Sequence, residues 1–281
     1  MIRKLSPAKV NLHLCVFRKR EDGYHDIATL MQKISLYDEM TFSPIKRGIV
    51  VRCPGSSLPE NEDNIVYRAA MAIFSYASCT PGIAITIKKG IPIAAGLGGG
   101  SSNAATALMT INEMFGFHLC TDDLMKIGAK LGADVSFFIY GKTIAWALGI
   151  GDCLQAAGNV PPMWFVLINP RFEISTEMVY KNLNLGLTKG TINYTIPHIQ
   201  TVNDLLKGLR NDLEEVTLNI YPLLRPLKDL LLTHGALGAL MSGSGPTVFG
   251  LFLEAEAALK AKKALEEAGK GAWSVFIAHS I

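Results

Sequence analysis

The chain contains few cysteines, and none of them lies in a metal-binding spacing. Of its 281 residues five are cysteines, an odd number without a C-x-x-C pair: Cys15, Cys53, Cys79, Cys120 and Cys153. The sequence therefore indicates neither a disulfide framework nor a zinc site. We expect a reducing cytoplasm as its compartment, because the basic start of the chain is not followed by the apolar core of a signal peptide.

A strong excess of one charge is also missing. The chain has 27 Lys and Arg against 24 Asp and Glu, a formal net charge of +3, and no long basic tract. This argues against a protein dedicated to binding nucleic acid or a membrane surface. A small positive excess suits an anionic small molecule as partner, and 49% hydrophobic residues are enough for a buried core.

Two long stretches lack charged side chains altogether, residues 90–112 and 230–253. Each is long enough to span a bilayer as a helix. Glycines and serines interrupt both stretches, and Pro246 interrupts the second, as is typical of turns. We therefore expect uncharged glycine-rich turns at these places rather than transmembrane helices.

The spacing of apolar residues predicts an α+β protein. Apolar and polar residues alternate from Val10 to Val16, which predicts a strand with Lys9 and Asn11 on one face. A charged loop that turns at Gly23 leads into one or two strands within residues 27–42, forming an early hairpin. Further strands are predicted over residues 83–87, 163–168, 247–253 and 272–278. One more strand is predicted to end near Met241. Helices are predicted over residues 64–78, 175–183 and 254–268, and twice within 202–232.

Two more helices are predicted in the middle of the chain. One follows a glycine cluster, with Ser101 or Ser102 as its cap, and ends at Gly116. The next is capped by Thr121 and ends at Gly132. Glycines and prolines after Trp146 mark the predicted domain boundary, which divides the chain into residues 1–158 and 159–281.

The strongest local feature is the glycine run, which comprises Pro92, Ile93, Ala94, Ala95, Gly96, Leu97, Gly98, Gly99, Gly100, Ser101 and Ser102. Glycines let backbone N–H groups converge, and the following helix presents its positive end, an arrangement that binds phosphate groups. The order of residues fits neither a Walker A loop nor a dinucleotide-binding fingerprint. Taken alone, the run could equally be a flexible connector.

Three further features each allow a chemical and a structural interpretation. The segment Ser242 to Thr247 suits either a close backbone approach or a tight hairpin. Lys9 could act in chemistry or be a solvated charge at a sheet edge. Asp134 precedes an apolar run in which an unpaired carboxylate would be costly. It is therefore a general base beside a lysine, a helix cap or a structural hydrogen-bonding group.

Three motifs in order resemble those of the GHMP small-molecule kinases: Ser6 to Leu12 (SPAKVNL), the glycine run, and Ser242 to Gly245 (SGSG). The resemblance covers essentially the whole chain, although Ser6 stands where alanine is common. It implies a ribosomal protein S5 domain 2-like N-terminal domain, a ferredoxin-like C-terminal domain, and an active site between them. It also implies ATP as co-substrate and Mg²⁺, whose ligands the sequence does not assign.

The resemblance also implies chemical roles for individual residues. Lys9 and Asp134 are expected as the catalytic pair, in which Asp134 accepts the proton of an alcohol and Lys9 orients both. The glycine run is expected to bind the ATP phosphates. Four further segments, residues 22–25, 133–138, 149–152 and 175–181, resemble the branch of the family that phosphorylates the 2-hydroxyl of a cytidine diphosphate ester of methylerythritol, in non-mevalonate isoprenoid precursor synthesis.

Substrate binding is expected at residues that match this branch, namely Asn11, Tyr24, His25, Thr176, Tyr180, Gly243, Ser244 and Gly245. The resemblance casts Tyr24 and Tyr180 as stacking faces for the cytosine and His25 as a hydrogen-bonding group for its edge. Without the resemblance, Tyr24 and His25 could be loop-tip residues and Tyr180 an inward-packing helix residue. Thr176 could then be a helix N-cap.

Two other functions remain open from the sequence. One is a GHMP kinase for mevalonate or homoserine, whose substrate offers no base for the Gly-Tyr-His loop to stack on. The other is a nucleotide-binding module without catalysis, which would need neither Lys9 nor Asp134.

Overall fold

The computed structural model describes residues 1–158, 160–183, 194–197 and 199–281. The chain forms two compact units. The first unit comprises Met1–Ala8, Tyr37–Ile91 and Gly98–Lys142, and the second comprises Lys9–Leu36, Pro92–Leu97 and Thr143–Ile281. The first two strands, β1 (Ile2–Lys19) and β2 (His25–Ile45), contribute residues to both units. The domain boundary after residue 158 stays a prediction.

The first unit is built from two further strands and four helices. These are β3 (Ile49–Arg52), α1 (Ile65–Tyr76), β4 (Gly82–Lys88), α2 (Gly99–Phe115), α3 (Thr121–Ala129) and α4 (Val135–Ile139). Strand β4 pairs in parallel with β3 and antiparallel with the second half of β2. Its residues Ile83, Ile85 and Ile87 are buried and alternate with partly exposed ones, which is the pattern of a sheet with one covered face.

Helix α2 begins without a side-chain cap. Its N-cap is Gly98 in the left-handed region at φ 68°, which glycine adopts at little cost, and Ser101 and Ser102 lie in the first turn. The prediction that one of these serines caps the helix was therefore wrong, whereas the predicted end at Gly116 is confirmed. The predicted cap of the next helix was also wrong, because Thr121 is the first residue of α3 and Cys120 holds the N-cap position.

The second unit contains the rest of the elements. They are β5 (Ile144–Gly149), β6 (Cys153–Ala156), β7 (Trp164–Asn169), α5 (Thr176–Lys181), α6 (Val202–Gly208), β8 (Arg210–Asn211), α7 (Asp212–Ile220), α8 (Arg225–Thr233), β9 (Ala239–Met241), β10 (Val248–Phe252), α9 (Ala255–Gly269) and β11 (Ser274–His279). Strand β5 pairs with β6 and with the first half of β2, and β8 pairs in parallel with β1 at His13 and Leu14.

Strands β7, β9, β10 and β11 form a four-stranded antiparallel sheet in the order β11-β7-β10-β9. With helices between β7 and β9 and α9 between β10 and β11, this is the β-α-β-β-α-β arrangement of ferredoxin-like folds. The helices cover an apolar core that includes Val166, Ile168, Leu231 and Leu265. The predicted α+β class is thus confirmed, and three α-helices, not the predicted two, lie within 202–233.

Among the described residues, no helix combines the length and the apolar character needed to cross a bilayer.

Candidate active site

The polar face of β1 carries a buried lysine in the second unit. Lys9 is only 5% exposed and its Nζ donates a hydrogen bond of 2.6 Å to Oδ1 of Asn11. The Asn11 amide in turn donates to the Thr29 hydroxyl at 2.8 Å. A lysine is buried almost only when it is paired. The alternative of a solvated edge charge was therefore wrong, and the predicted common face of Lys9 and Asn11 is confirmed.

The first half of the glycine run, Pro92–Leu97, lies beside this strand within the same unit. The backbone N–H of Lys9 donates to the carbonyl of Leu97 at 2.9 Å. Gly96 has φ +76°, and a Cβ placed there would lie 2.1 Å from the Ser242 carbonyl oxygen. The Ser242 hydroxyl donates to the Gly96 carbonyl at 2.9 Å. Only glycine permits this approach, which brings the second and third motifs together.

The third motif is both a hairpin and a close-approach segment. Ser242–Thr247 connects the antiparallel strands β9 and β10, and the Ser242 N–H donates to the Thr247 carbonyl at 2.9 Å. A Cβ placed on Gly243 would lie 3.4 Å from Oδ1 of Asn11. The two interpretations that the sequence left open therefore hold at once, because the hairpin tip is what approaches the first motif.

Two side chains that hold this tip have different sequence signals. Asn211 donates from Nδ2 to the carbonyls of Met241 and Gly243 at 2.8 and 2.7 Å, while its Oδ1 caps α7. Thr176 shares a 2.8 Å hydrogen bond with the Ser244 hydroxyl. Its alternative as a helix N-cap was wrong, since Ser175 caps α5. Asn211 was missed, and its only signal is an Asn before an acidic helix start.

The second half of the glycine run belongs to the first unit. The residues Gly98 to Ser102 form the start of α2, whose N–H groups of the first turn have no partner within the helix. Ser102 is fully buried and accepts a 2.7 Å hydrogen bond from the Ser6 hydroxyl. Ser101 lies near Gly132 instead, because a Cβ placed on Gly132 would be 3.9 Å from the Ser101 hydroxyl oxygen.

Asp134 immediately precedes α4 in the first unit. It is half-buried, and its side chain makes no capping hydrogen bond with that helix. The helix-cap alternative was therefore wrong. Gly132, whose Cβ position lies next to the Ser101 hydroxyl, is two residues before Asp134 in the chain.

The aromatic residues predicted for base recognition lie in the second unit. The rings of His25 and Tyr180 are 4.8 Å apart and inclined by 31°, and Tyr180 also packs against the apolar core. Tyr24 is exposed in the loop before β2. Desolvation, followed by the charge of Lys19, lowers the pKa of His25, so its imidazole is neutral at pH 7 and can both donate and accept hydrogen bonds.

Two further polar residues of β1 received no role in the sequence reasoning. His13 and Cys15 continue the face of Lys9 and Asn11, and Nδ1 of His13 donates to the Gly208 carbonyl at 2.6 Å. Its Nε2 lies 2.7 Å from the Tyr194 hydroxyl and 3.1 Å from the Cys15 sulfur. Burial raises the pKa of Tyr194 to about 12, so the phenol keeps its proton. The period-2 pattern alone was the available signal.

The next feature of the site is the set of oxygen, nitrogen and sulfur atoms that could bind a metal ion. Within residues 1–158, 160–183, 194–197 and 199–281, no group of three or more His, Cys, Asp and Glu side chains could hold a metal ion. A Mg²⁺ ion that binds together with a nucleotide needs few protein ligands, because it takes most of its ligands from phosphates and water. The Ser101 hydroxyl at the start of α2 is an oxygen donor of the type that Mg²⁺ accepts, so this position fits such an ion.

Comparison with known proteins decides the family. Residues 64–142 match the model of the GHMP kinases N terminal domain, and residues 196–271 match that of the GHMP kinases C terminal domain. A 4-diphosphocytidyl-2-C-methyl-D-erythritol kinase of Syntrophus aciditrophicus (strain SB) is 60% identical over 282 residues, covering all of both chains. The chain belongs to the GHMP kinase family. Membership implies ATP as the co-substrate of this kinase.

A second curated relative and two solved structures are also similar to this chain. The enzyme of the same description from Syntrophotalea carbinolica (strain DSM 2380 / NBRC 103641 / GraBd1) is 50% identical over 97% of this chain and 96% of its own. A crystal structure of 4-(cytidine 5'-diphospho)-2C-methyl-D-erythritol kinase superposes with a TM-score of 0.81 at 31% identity, covering 99% of this chain and 98% of that one. A homoserine kinase from Cytophaga hutchinsonii, with a TM-score of 0.74 at 18% identity over 100% and 94%, shares the fold.

Proposed function

We propose that this kinase transfers the γ-phosphoryl group of ATP to the 2-hydroxyl of 4-diphosphocytidyl-2-C-methyl-D-erythritol. This is a step of non-mevalonate isoprenoid precursor synthesis, and we propose the cytoplasm as its place. The observation that carries the proposal is the 60% identity along the whole chain to the relative of that name. The buried Lys9–Asn11 pair against two glycine turns supports it.

The reaction needs positioning and charge stabilisation more than a strong base. Phosphoryl transfer proceeds through a loose transition state in which little charge develops on the attacking alcohol. Asp134 accepts the proton of the 2-hydroxyl as the new P–O bond forms. Lys9 places its ammonium group beside the alcohol and the transferred phosphoryl oxygens, held by the 2.6 Å bond to Asn11.

The ATP phosphates are bound at the glycine run. The free N–H groups at the N-terminus of α2 and the positive end of its dipole favour the phosphate charges. The Ser101 hydroxyl would be an oxygen ligand for a Mg²⁺ ion that comes with the nucleotide, and the ion would offset charge on the phosphates. Gly243, Ser244 and Gly245 line the acceptor's diphosphate, since a Cβ placed on Gly243 would lie 3.4 Å from Oδ1 of Asn11.

The cytosine ring is bound by the aromatic residues around the loop that follows β1. Tyr24 offers an exposed ring and Tyr180 a half-buried one beside His25. A neutral His25 hydrogen-bonds the edge of the base. These residues set the choice of acceptor, because mevalonate and homoserine carry no base.

Release of ADP with three alcohols tests the proposal. The purified chain is given ATP and Mg²⁺ with 4-diphosphocytidyl-2-C-methyl-D-erythritol, mevalonate or homoserine. We expect turnover with the cytidyl compound alone, and a KM for it that rises at least about tenfold in Tyr24→Ala through loss of stacking. Turnover with mevalonate or homoserine would instead identify a different GHMP kinase, and no turnover with any alcohol would favour a nucleotide-binding module.

A further inference from the structure

One acidic residue of the first unit is buried where its strand pattern calls for an apolar side chain. Asp38 lies on the covered face of β2 in register with the buried Met40 and Phe42, and none of its surface is exposed. A carboxylate in such a place is stable only when it is paired and fully hydrogen-bonded. Its partners therefore show what it is there to hold.

Both oxygens of the Asp38 carboxylate are engaged. Oδ1 accepts hydrogen bonds from the backbone N–H groups of Gly90 and Ile91 at 2.8 and 2.9 Å. Oδ2 accepts from Nδ2 of Asn103 at 2.9 Å and from the ammonium group of Lys89. Charge-assisted bonds of this kind are about twice as strong as neutral ones.

These donors come from the two ends of the glycine run. Lys89, Gly90 and Ile91 directly precede Pro92, and Asn103 directly follows Ser102. The two ends also touch, because a Cβ placed on Gly99 would lie 3.1 Å from the Ile91 side chain and 3.4 Å from Nζ of Lys89. Asp38 thus bridges the chain entering the run and the N-terminal part of α2.

The packing around this bridge leaves little freedom. A Cβ placed on Gly90 would lie 2.3 Å from the carbonyl oxygen of Tyr37, the residue before Asp38. Asn103 donates to the Ser6 hydroxyl at 3.0 Å, and Ser6 donates to Ser102 at 2.7 Å. The network therefore extends to the first motif, at a position where alanine is common in the family.

We propose that Asp38 is a positioning residue for nucleotide binding, which fixes the two ends of the glycine run relative to each other. It thereby aims the N–H groups at the N-terminus of α2 toward the phosphates of ATP. The inference rests on the proposed function only in taking the glycine run as the phosphate site. Asp38 acts through Gly90, Ile91 and Asn103 and does not touch the nucleotide.

The variant Asp38→Asn tests this role with little change in shape. The new amide would turn a donor toward Asn103 and Lys89, so the bridge opens on that side while volume is kept. We expect the Kd for ATP with Mg²⁺, measured by calorimetry without any acceptor alcohol, to rise about tenfold or more. The KM for the cytidyl acceptor should stay within about twofold. Asp122→Asn, an exposed carboxylate of α3 in the same unit, is the matched control.

A swap variant separates positioning from general stability. In Asp38→Asn/Asn103→Asp the carboxylate and amide exchange places, and Lys89, whose Nζ lies 3.4 Å from Oδ1 of Asn103, keeps an acidic neighbour. We expect the Kd for ATP to return to within about threefold of the starting value. If Asp38→Asn cannot be recovered folded, Asn103→Ala, a replacement that suits a helix, should also raise that Kd at least about fivefold.

An unchanged Kd for ATP in a folded Asp38→Asn or Asn103→Ala protein would overturn the inference. Parallel loss of ATP and acceptor affinity without rescue by the swap would also overturn it, since that is what a purely structural role predicts. Because ATP binding is read without an acceptor, failure of the proposed acceptor in turnover assays leaves this test intact. The two failures are therefore distinguishable.

Discussion

The Nζ atom of Lys9 lies 2.6 Å from Oδ1 of Asn11, two residues along the same face of β1, and both side chains are almost completely buried. The lysine therefore has one fixed direction, because its ammonium group is hydrogen-bonded inside the second unit. The Asn11 amide is fixed in turn by Thr29, which donates to the His13 carbonyl at 2.7 Å. A phosphoryl-transfer site needs this kind of prearranged charge.

Asn11→Ala should impair catalysis through the lysine. Removing the amide leaves a buried ammonium group without this acceptor, at a cost of about 1–3 kcal/mol. We expect kcat to fall about tenfold or more and the unfolding temperature to drop, measured by steady-state kinetics and calorimetry. Asn61→Ala, at an exposed position of the first unit where the side chain hydrogen-bonds to Asp63, should leave kcat unchanged. Equal kcat values for the two variants would show that Lys9 does not depend on Asn11.

Asp134→Asn should separate binding from turnover. The amide keeps the shape of the side chain but cannot accept the proton of the acceptor alcohol. We expect kcat to fall by about 10² to 10⁴, while the Kd for ATP changes by less than about threefold because the α2 N-terminus is untouched. Rapid-quench measurement of phosphoryl transfer checks the fall in turnover, and calorimetry checks the Kd for ATP. Turnover close to the unmodified protein would remove Asp134 from the role of base.

Gly96→Ala should be far more damaging than an equally strained glycine replacement elsewhere. The new Cβ would lie 2.1 Å from the Ser242 carbonyl oxygen, so the second and third motifs must separate. Gly141 has a similar φ of +74° with nothing within 4 Å of its Cβ position, so Gly141→Ala isolates the backbone strain. We expect about 1 kcal/mol of destabilisation for Gly141→Ala and, for Gly96→Ala, a larger loss together with loss of activity. Similar unfolding free energies would argue against the close approach.

Lys33 predicts a specific pH dependence of stability. Burial lowers the pKa of Lys33 to about 8 from its usual 10.5. Between these values the unfolded chain binds the proton and the folded chain does not, so this group makes stability rise with pH from about 8 to 10.5. Below pH 8 the folded state carries the full penalty. Lys33→Met should therefore raise the unfolding free energy at pH 7.

The measurement that checks this is urea unfolding of both proteins from pH 7 to 10.5. The difference between Lys33→Met and the unmodified chain should be largest at pH 7 and shrink toward pH 10.5. A difference that does not vary with pH would mean that the lysine titrates normally.

Sequence reasoning succeeded where a local pattern carries the information. Period-2 alternation placed Lys9 and Asn11 on one face, and helical spacing together with Gly116 placed α2 and its end. It failed at the starts of helices, since Gly98 caps α2 through its backbone conformation and leaves no side-chain signature. The alternative interpretation of Thr176 as a helix cap failed in the same way, because the adjacent Ser175 makes that bond.

The remaining gaps involve partners that are distant in sequence. Asp38 bonds to groups 51 to 65 residues away, and no spacing rule connects an acidic residue in a strand with the ends of a glycine run. Asn211 holds the backbone of a turn about thirty residues further on. Such residues become visible only when tertiary structure shows that a buried polar group is satisfied by a loop.

The position of the transferred phosphate tests the central claim most directly. The chain is incubated with ATP, Mg²⁺ and 4-diphosphocytidyl-2-C-methyl-D-erythritol, and the product is examined by proton-coupled phosphorus NMR, with Asp134→Asn as the control. Carbon 2 of the acceptor carries no hydrogen, so a phosphate on the 2-hydroxyl should give a phosphomonoester signal without proton splitting, with one ADP formed per product and little product in the control. A split phosphomonoester signal, or ADP without a phosphorylated cytidyl compound, would contradict the account.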